Sequence, residues 1–224
     1  MAGSETPRVP LFPLSNVVLF PEARVPLHIF EKRYRQMMES ALEADRTLGM
    51  VTVLPEHHGA MGGDPPIFPI GCAGFIAAHQ KLADGAYDLV LQGTRRFRIL
   101  DEDPPGGSRL FRVAQVEWIG EPPSEPDPVQ VRDRRRRVID MLETLARRAT
   151  GGDAVEIEAD RLAQLDDSTF TNALCAAIGL SAVEKQGLLE ANGVSERLER
   201  LESVLEFHVV SLGAPAGEGP SRLH

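Results

Sequence analysis

Apolar positions in the first half of the chain alternate over short runs broken by proline and glycine. Val17 to Phe20, β-branched and apolar, predict a strand stopped by Pro21. "RVPLHIF" alternates next, with Val25, Leu27 and Ile29 on one side and His28 on the other. Pro13 and Pro26 carry no N–H, so their strands are expected at an edge or with a break. "EKRYRQMMESALEA" then switches to helical spacing and puts Tyr34, Met37, Met38, Ala41 and Leu42 on one face. Glu31 is placed in the first turn, where a carboxylate complements the helix dipole. "LGMVTVLP" predicts a buried strand and "EHHGAMGGDPP" a loop. Gly71 to Leu100 predicts a hairpin turning at Asp84-Gly85, with "RRFRIL" continuing as a strand that keeps Phe97 and Ile99 on one face. "LFRVAQVEWI" predicts one strand more. Several strands around one helix imply a β-rich, open or pseudo-barrel domain over residues 1–120.

"GEPPSEPDP" is too rich in proline and acid to pack as strand or helix, so 121–128 reads as a linker. Helical spacing then runs over 129–212. Val131, Val138, Leu142, Leu145 and Ala149 share one stripe, and Phe170, Leu174 and Ile178 another. Ser181 and Glu184 have the spacing of a capping box, Asn192-Gly193 closes that helix, and Ser195 is expected to cap the last one. There Leu198, Leu201, Leu205, His208 and Leu212 step by three and four, as in a bundle. Residues 213–224 read as a disordered tail. The predicted fold class is α+β, a β-rich barrel followed by a helical bundle.

Composition changes this picture little. A net charge of −9 argues against broad binding to nucleic acid or anionic lipid. Cys72 and Cys175, far apart and outside any CxxC, suit buried packing in a reducing compartment. The N-terminus has no apolar signal core and no run is long enough to span a membrane, so a soluble, cytoplasmic protein is expected.

Candidate chemistry is sparse. The sequence has no phosphate loop, no GxSxG and no HExxH. Lys32, Lys81 and Lys185, the only lysines, have no serine in a recognisable dyad context. His57-His58 lacks further ligands at zinc spacing, and no metal or cofactor is expected. Arg132 and Arg134 to Arg137 wrap around their helix among acids and are expected as an ion-paired face. Arg95, Arg96 and Arg98 are the better nucleic-acid candidates, but without neighbouring aromatics for base stacking. A hydrolase would need His28 or His79 beside a carboxylate in a pocket.

Three stretches carry a family resemblance. "LFPLSNVVLFPEARVPLHIFEKRYRQMMESAL" resembles the opening of the Lon protease N-terminal domain. "IGCAGFIAAHQKLADGAYDLVLQGTRRFRI" is similar to its later strands and D-G hairpin, and "LSAVEKQGLLEANGVSERLERL" to its closing helices. They follow the family's order up to about residue 210, while the ATPase phosphate loop and the protease Ser-Lys dyad of a complete Lon are not in this sequence. The resemblance implies a PUA-like pseudo-barrel with a helical extension, acting as a free-standing, non-catalytic protein-binding domain. Its partners would be exposed apolar segments of unfolded or damaged proteins, or a specific partner, with a link to a protease or chaperone.

Grooves that bind unfolded protein need apolar surface with polar edges. Phe12, Phe20 and Phe30, with Met61, Ile67 and Phe68, are the expected apolar contacts, rimmed by Glu31, Lys32 and Arg35. The alternative is an RNA-binding PUA-like domain using Arg95, Arg96 and Arg98.

Overall fold

The computed structural model describes residues 6–120, 122, 127–149, 162 and 164–213. The strands are β1 (Arg8–Leu14), β2 (Arg24–Ile29), β3 (Thr47–Thr52), β4 (Ile70–Lys81), β5 (Tyr87–Asp103) and β6 (Val113–Ile119). Helix α1 (Lys32–Glu43) lies between β2 and β3. After the sheet come α2 (Pro128–Ala149), α3 (Asp167–Ala177), α4 (Ala182–Leu189) and α5 (Val194–Gly213).

Sheet order is β2-β5-β4-β3-β1-β6, and a further β5–β6 pairing closes five of the strands into a ring, with β2 hanging from β5. Closure requires β5 to bend. Register shifts fall between Ala73 and Gly74, Ile76 and Ala78, and Ile99 and Asp101, where an extra residue bends a strand and raises its twist. Val9, Leu11, Val51, Phe97, Ala114 and Val116 fill the ring. Gly49 and Gly71 leave room for the Phe97 ring there, since a Cβ at Gly71 would lie 2.7 Å from Phe97 Cζ.

A larger core lies outside the ring and runs from Phe12, Tyr34, Met37 and Met38 to Val138, Phe170, Leu198 and Leu205 in the helices. The fold is α+β: a β-rich pseudo-barrel with one helix, then a helical bundle packed mainly through α2 and α5. Residues 121 and 123–126 of the expected linker and 214–224 of the expected tail lie outside the described residues.

The strand expected at Val17 to Phe20 is not formed. The stretch is extended without ladder pairing, and Val18, Leu19 and Phe20 are buried. Gly74 and Gly93 face each other across β4 and β5, and their missing side chains admit this strap. A Cβ on Gly93 would lie 2.0 Å from the Phe20 carbonyl oxygen. The strap therefore packs on the face of the hairpin and not along an edge.

Pro26 lies on the edge strand β2, as expected. Pro13 is accommodated differently, because β1 pairs with β6 over Arg8–Pro10 and with β3 over Leu11–Leu14. Each proline thus has a paired neighbour on one side only. Ser181 and Glu184 form the predicted capping box, both bonds present. Ser195 does not cap α5, which begins one residue earlier, after Gly193 with its φ of 95°. Glu31 is the N-cap of α1 and not a first-turn residue; its carboxylate accepts from Arg33 Nε at 2.9 Å.

Candidate functional site

Alternation along β2 and β5 leaves one face of the ribbon exposed. Leu27, Ile29, Leu89 and Leu91 turn inward, while Pro26, His28, Asp88 and Val90 turn outward. In register, Val90 lies between Pro26 and Ala78, and Asp88 between His28 and Gln80. The outward side chains form a shallow open depression of about 520 Å³. Phe30, 65% exposed, extends it beyond β2 by stacking on His28 with ring centroids 6.0 Å apart. The result is an apolar floor with polar edges.

His28 Nδ1 lies 2.7 Å from Asp88 Oδ1 across the two strands. This is the histidine–carboxylate pair that a hydrolase would need. Both side chains are about half exposed (52% and 56%), and the residues lining the depression include no serine, threonine or cysteine to act as nucleophile. The arrangement holds Phe30 in place through His28 and supplies a polar rim. The thiols lie elsewhere: Cys72 and Cys175 are buried, and burial pushes each up to about 12. Among the described residues no group of three or more histidine, cysteine or carboxylate side chains could hold a metal ion.

The expected contact residues separate into three sets. Phe12 and Phe20 are corrected to core residues, 4% and 0% exposed, Phe12 packing edge-on against Tyr34 at 4.8 Å. Phe30, Glu31, Lys32 and Arg35 share the start of α1. Met61 is drawn to them by Arg33, a residue that no pattern in the sequence singles out. Its guanidinium donates to the carbonyls of Met61 and Gly63 and pairs with Glu31. An arginine between the exposed Lys32 and the buried Tyr34 gives no sequence signal for such a tether.

Arg35 Nη1 donates to the Asp84 carbonyl at the hairpin turn, 3.2 Å away. Ile67 bridges to Val53 and packs with the residues that fill the ring, and Phe68 N–H donates to the Thr52 carbonyl. These two close the end of β3.

The basic residues of the alternative do not converge. Arg96 is 2% exposed, and its guanidinium donates to the carbonyls of Leu189 and Ala191. That is a correction: it clamps the C-terminal end of α4 and cannot reach a phosphate. Arg95 lies over the Trp118 ring at 3.6 Å, so the strand has an aromatic neighbour that spacing along the chain does not reveal, already covered by the arginine. Arg98 is exposed. On α2, Arg134 reaches Glu202 at 2.7 Å, Arg137 pairs with the same carboxylate, and Arg135 reaches Asp167 at 2.6 Å. No helix among the described residues is long and apolar enough to cross a membrane.

Comparison with known proteins agrees with this architecture. The family model of the ATP-dependent protease La (Lon) substrate-binding domain matches residues 8–206. Lon protease of Rhizobium meliloti is 25% identical over 213 residues, which cover 92% of this chain and 25% of that protein. Lon protease 2 of Herpetosiphon aurantiacus is 28% identical, over 93% of this chain and 25% of its own length. The chain thus spans about a quarter of the length of these relatives.

Two solved structures share the fold. The Lon N-terminal domain protein from Xanthomonas campestris has a TM-score of 0.62 at 23% identity, covering 88% of this chain and 98% of that one. The N-terminal domain of Mycobacterium avium complex Lon protease has 0.66 at 20%, covering 90% and 100%. With the pseudo-barrel, its strap and the appended bundle all in place, this chain belongs to the Lon substrate-binding domain family.

Proposed function

We propose that this chain is a non-catalytic protein-binding domain that holds exposed apolar segments of unfolded or damaged proteins for a protease or chaperone. One observation carries the reading. Phe30 stands in solvent beside an apolar depression with a polar edge, the arrangement in which an aromatic side chain contributes most to an interface. Glu31, Lys32 and Arg35 follow Phe30 at the start of α1 and serve in this reading as its polar rim, and Arg33 ties the 61–63 loop to the same helix start. Polar groups at the rim set orientation and keep the free surface soluble. The family's substrate-binding role supports the same reading.

Fluorescence anisotropy of a labelled, permanently unfolded protein, titrated against its native counterpart, tests it. Binding is expected for the unfolded form alone and is expected to change little with salt, because the contact is apolar. Phe30→Ala is expected to weaken it by about tenfold with unchanged thermal stability. Equal binding by wild type and Phe30→Ala would move the site off this face.

A further inference from the structure

A second groove, about 560 Å³, lies where the strap and β2 meet α3. Val17, Val18 and Val25 wall one side, and Ala173, Ala176 and Ala177 the other. Two cations from different elements line it, Arg24 of β2 and Lys185 of α4. Lys185 Nζ donates one hydrogen bond, to the Ala176 carbonyl at 2.7 Å, and no carboxylate lies within ion-pair distance of it among the described residues. Arg24 has no side-chain partner among the described residues.

The one acid lining the groove, Glu22, is already engaged: the Ser168 hydroxyl donates to Oε1 at 3.1 Å, and Oε2 shares the single Thr169 hydroxyl proton with Asp166, 2.5 and 2.6 Å away. In a chain of net charge −9, two unpaired cations facing one apolar groove make a local exception. Burial also lowers the pKa of Lys185 from its ordinary value, so its charge is partly desolvated and a bound anion would interact strongly with it.

We propose that this groove binds the free C-terminal carboxylate of an extended peptide with small apolar residues. Arg24 and Lys185 hold the carboxylate, and the valine and alanine walls take the last side chains. Glu22 disfavours a dianion such as phosphate. Polar side chains in the walls are few, so a segment passing through would strip water from amides on both sides of its acid. A chain end strips them on one side only. The inference stands apart from the reading of the sheet face, although Pro26 lines both depressions.

Three labelled probes test it on the full chain: a short alanine–valine peptide with a free C-terminus, its amide, and an amidated version with an internal aspartate. Anisotropy is expected to show saturable binding of the free acid, at least about tenfold tighter than the amide. Lys185→Met and Arg24→Gln, the second at a solvent-facing position, are each expected to reduce the free acid to the amide's affinity. Phe30→Ala is expected to leave it unchanged, which separates this site from the sheet face. Equal binding of acid and amide, unchanged affinity in both groove variants, or an internal aspartate that binds as tightly as the chain end would overturn the proposal.

Discussion

Two glycines show how position decides what a missing side chain does. Gly93 faces the strap so closely that a Cβ would lie 2.0 Å from the Phe20 carbonyl oxygen, a backbone atom that cannot turn aside. Gly187 lies inside α4, where a Cβ would meet nothing within 4 Å. Gly93→Ala is therefore expected to destabilise by about 1–3 kcal/mol through overpacking. Gly187→Ala is expected to stabilise by about 0.5–1 kcal/mol, because it removes backbone freedom from the unfolded chain. Urea denaturation of the two variants checks both signs. A neutral Gly93→Ala would mean that the strap can lift off the hairpin, and Leu19 and Phe20 would then not be fixed core.

Among the elements, α4 ties its start to the end of α5. Ser181 and Glu184 cap it reciprocally, and Glu184 Oε1 also lies 2.8 Å from His208 Nε2. The Ser181 hydroxyl, more than the His208 contact, holds the Glu184 carboxyl below its ordinary value. A lowered carboxyl stabilises the fold above its unfolded pKa of about 4.3, and that contribution is lost as pH falls through the folded value. Ser181→Ala is expected to cost about 1 kcal/mol near neutral pH. The deficit is expected to shrink in urea melts as pH is lowered below that unfolded value, as wild type progressively loses the same contribution. A deficit unchanged by acid would assign it to the hydroxyl alone.

This capping box is legible in the sequence because its two residues are three apart. The hairpin at Asp84-Gly85 is legible because it too is local, although the turn is not the primed two-residue kind: Gly85 has a positive φ of 83°, Asp84 does not, and Gly85 N–H donates to the Leu82 carbonyl. The strap is not legible. Its burial depends on glycines more than 50 residues away, and an apolar β-branched run reads as a strand whichever surface it meets. Arg96 is hidden by the same blindness to distance, since alternation assigns a face but does not say that a helix end lies over it.

At the scale of the molecule, barrel and bundle are joined by polar contacts as well as by the shared core. Gln186 of α4 accepts from the Thr52 hydroxyl at 2.8 Å and donates to the Ile70 carbonyl at 2.9 Å. Arg96 of β5 binds the carbonyls of Leu189 and Ala191, where a cation complements the C-terminal dipole of α4. Both contacts are buried, so losing either leaves acceptors that water cannot reach. Arg96→Met keeps much of the apolar bulk but removes the donors, at an expected cost of ~3 kcal/mol. That cost falls on the junction, and neither half loses its own core.

Trp118, the single tryptophan, reports on the barrel from β6, whereas helical circular dichroism reports mainly on the bundle. In wild type the two signals are expected to change together on heating, as one cooperative transition. In Arg96→Met the helical signal is expected to melt first and the tryptophan signal at a higher temperature. Coincident transitions in the variant would show that the shared apolar core alone couples the halves. The groove between the strap and α3 would then keep its walls together without the arginine clamp.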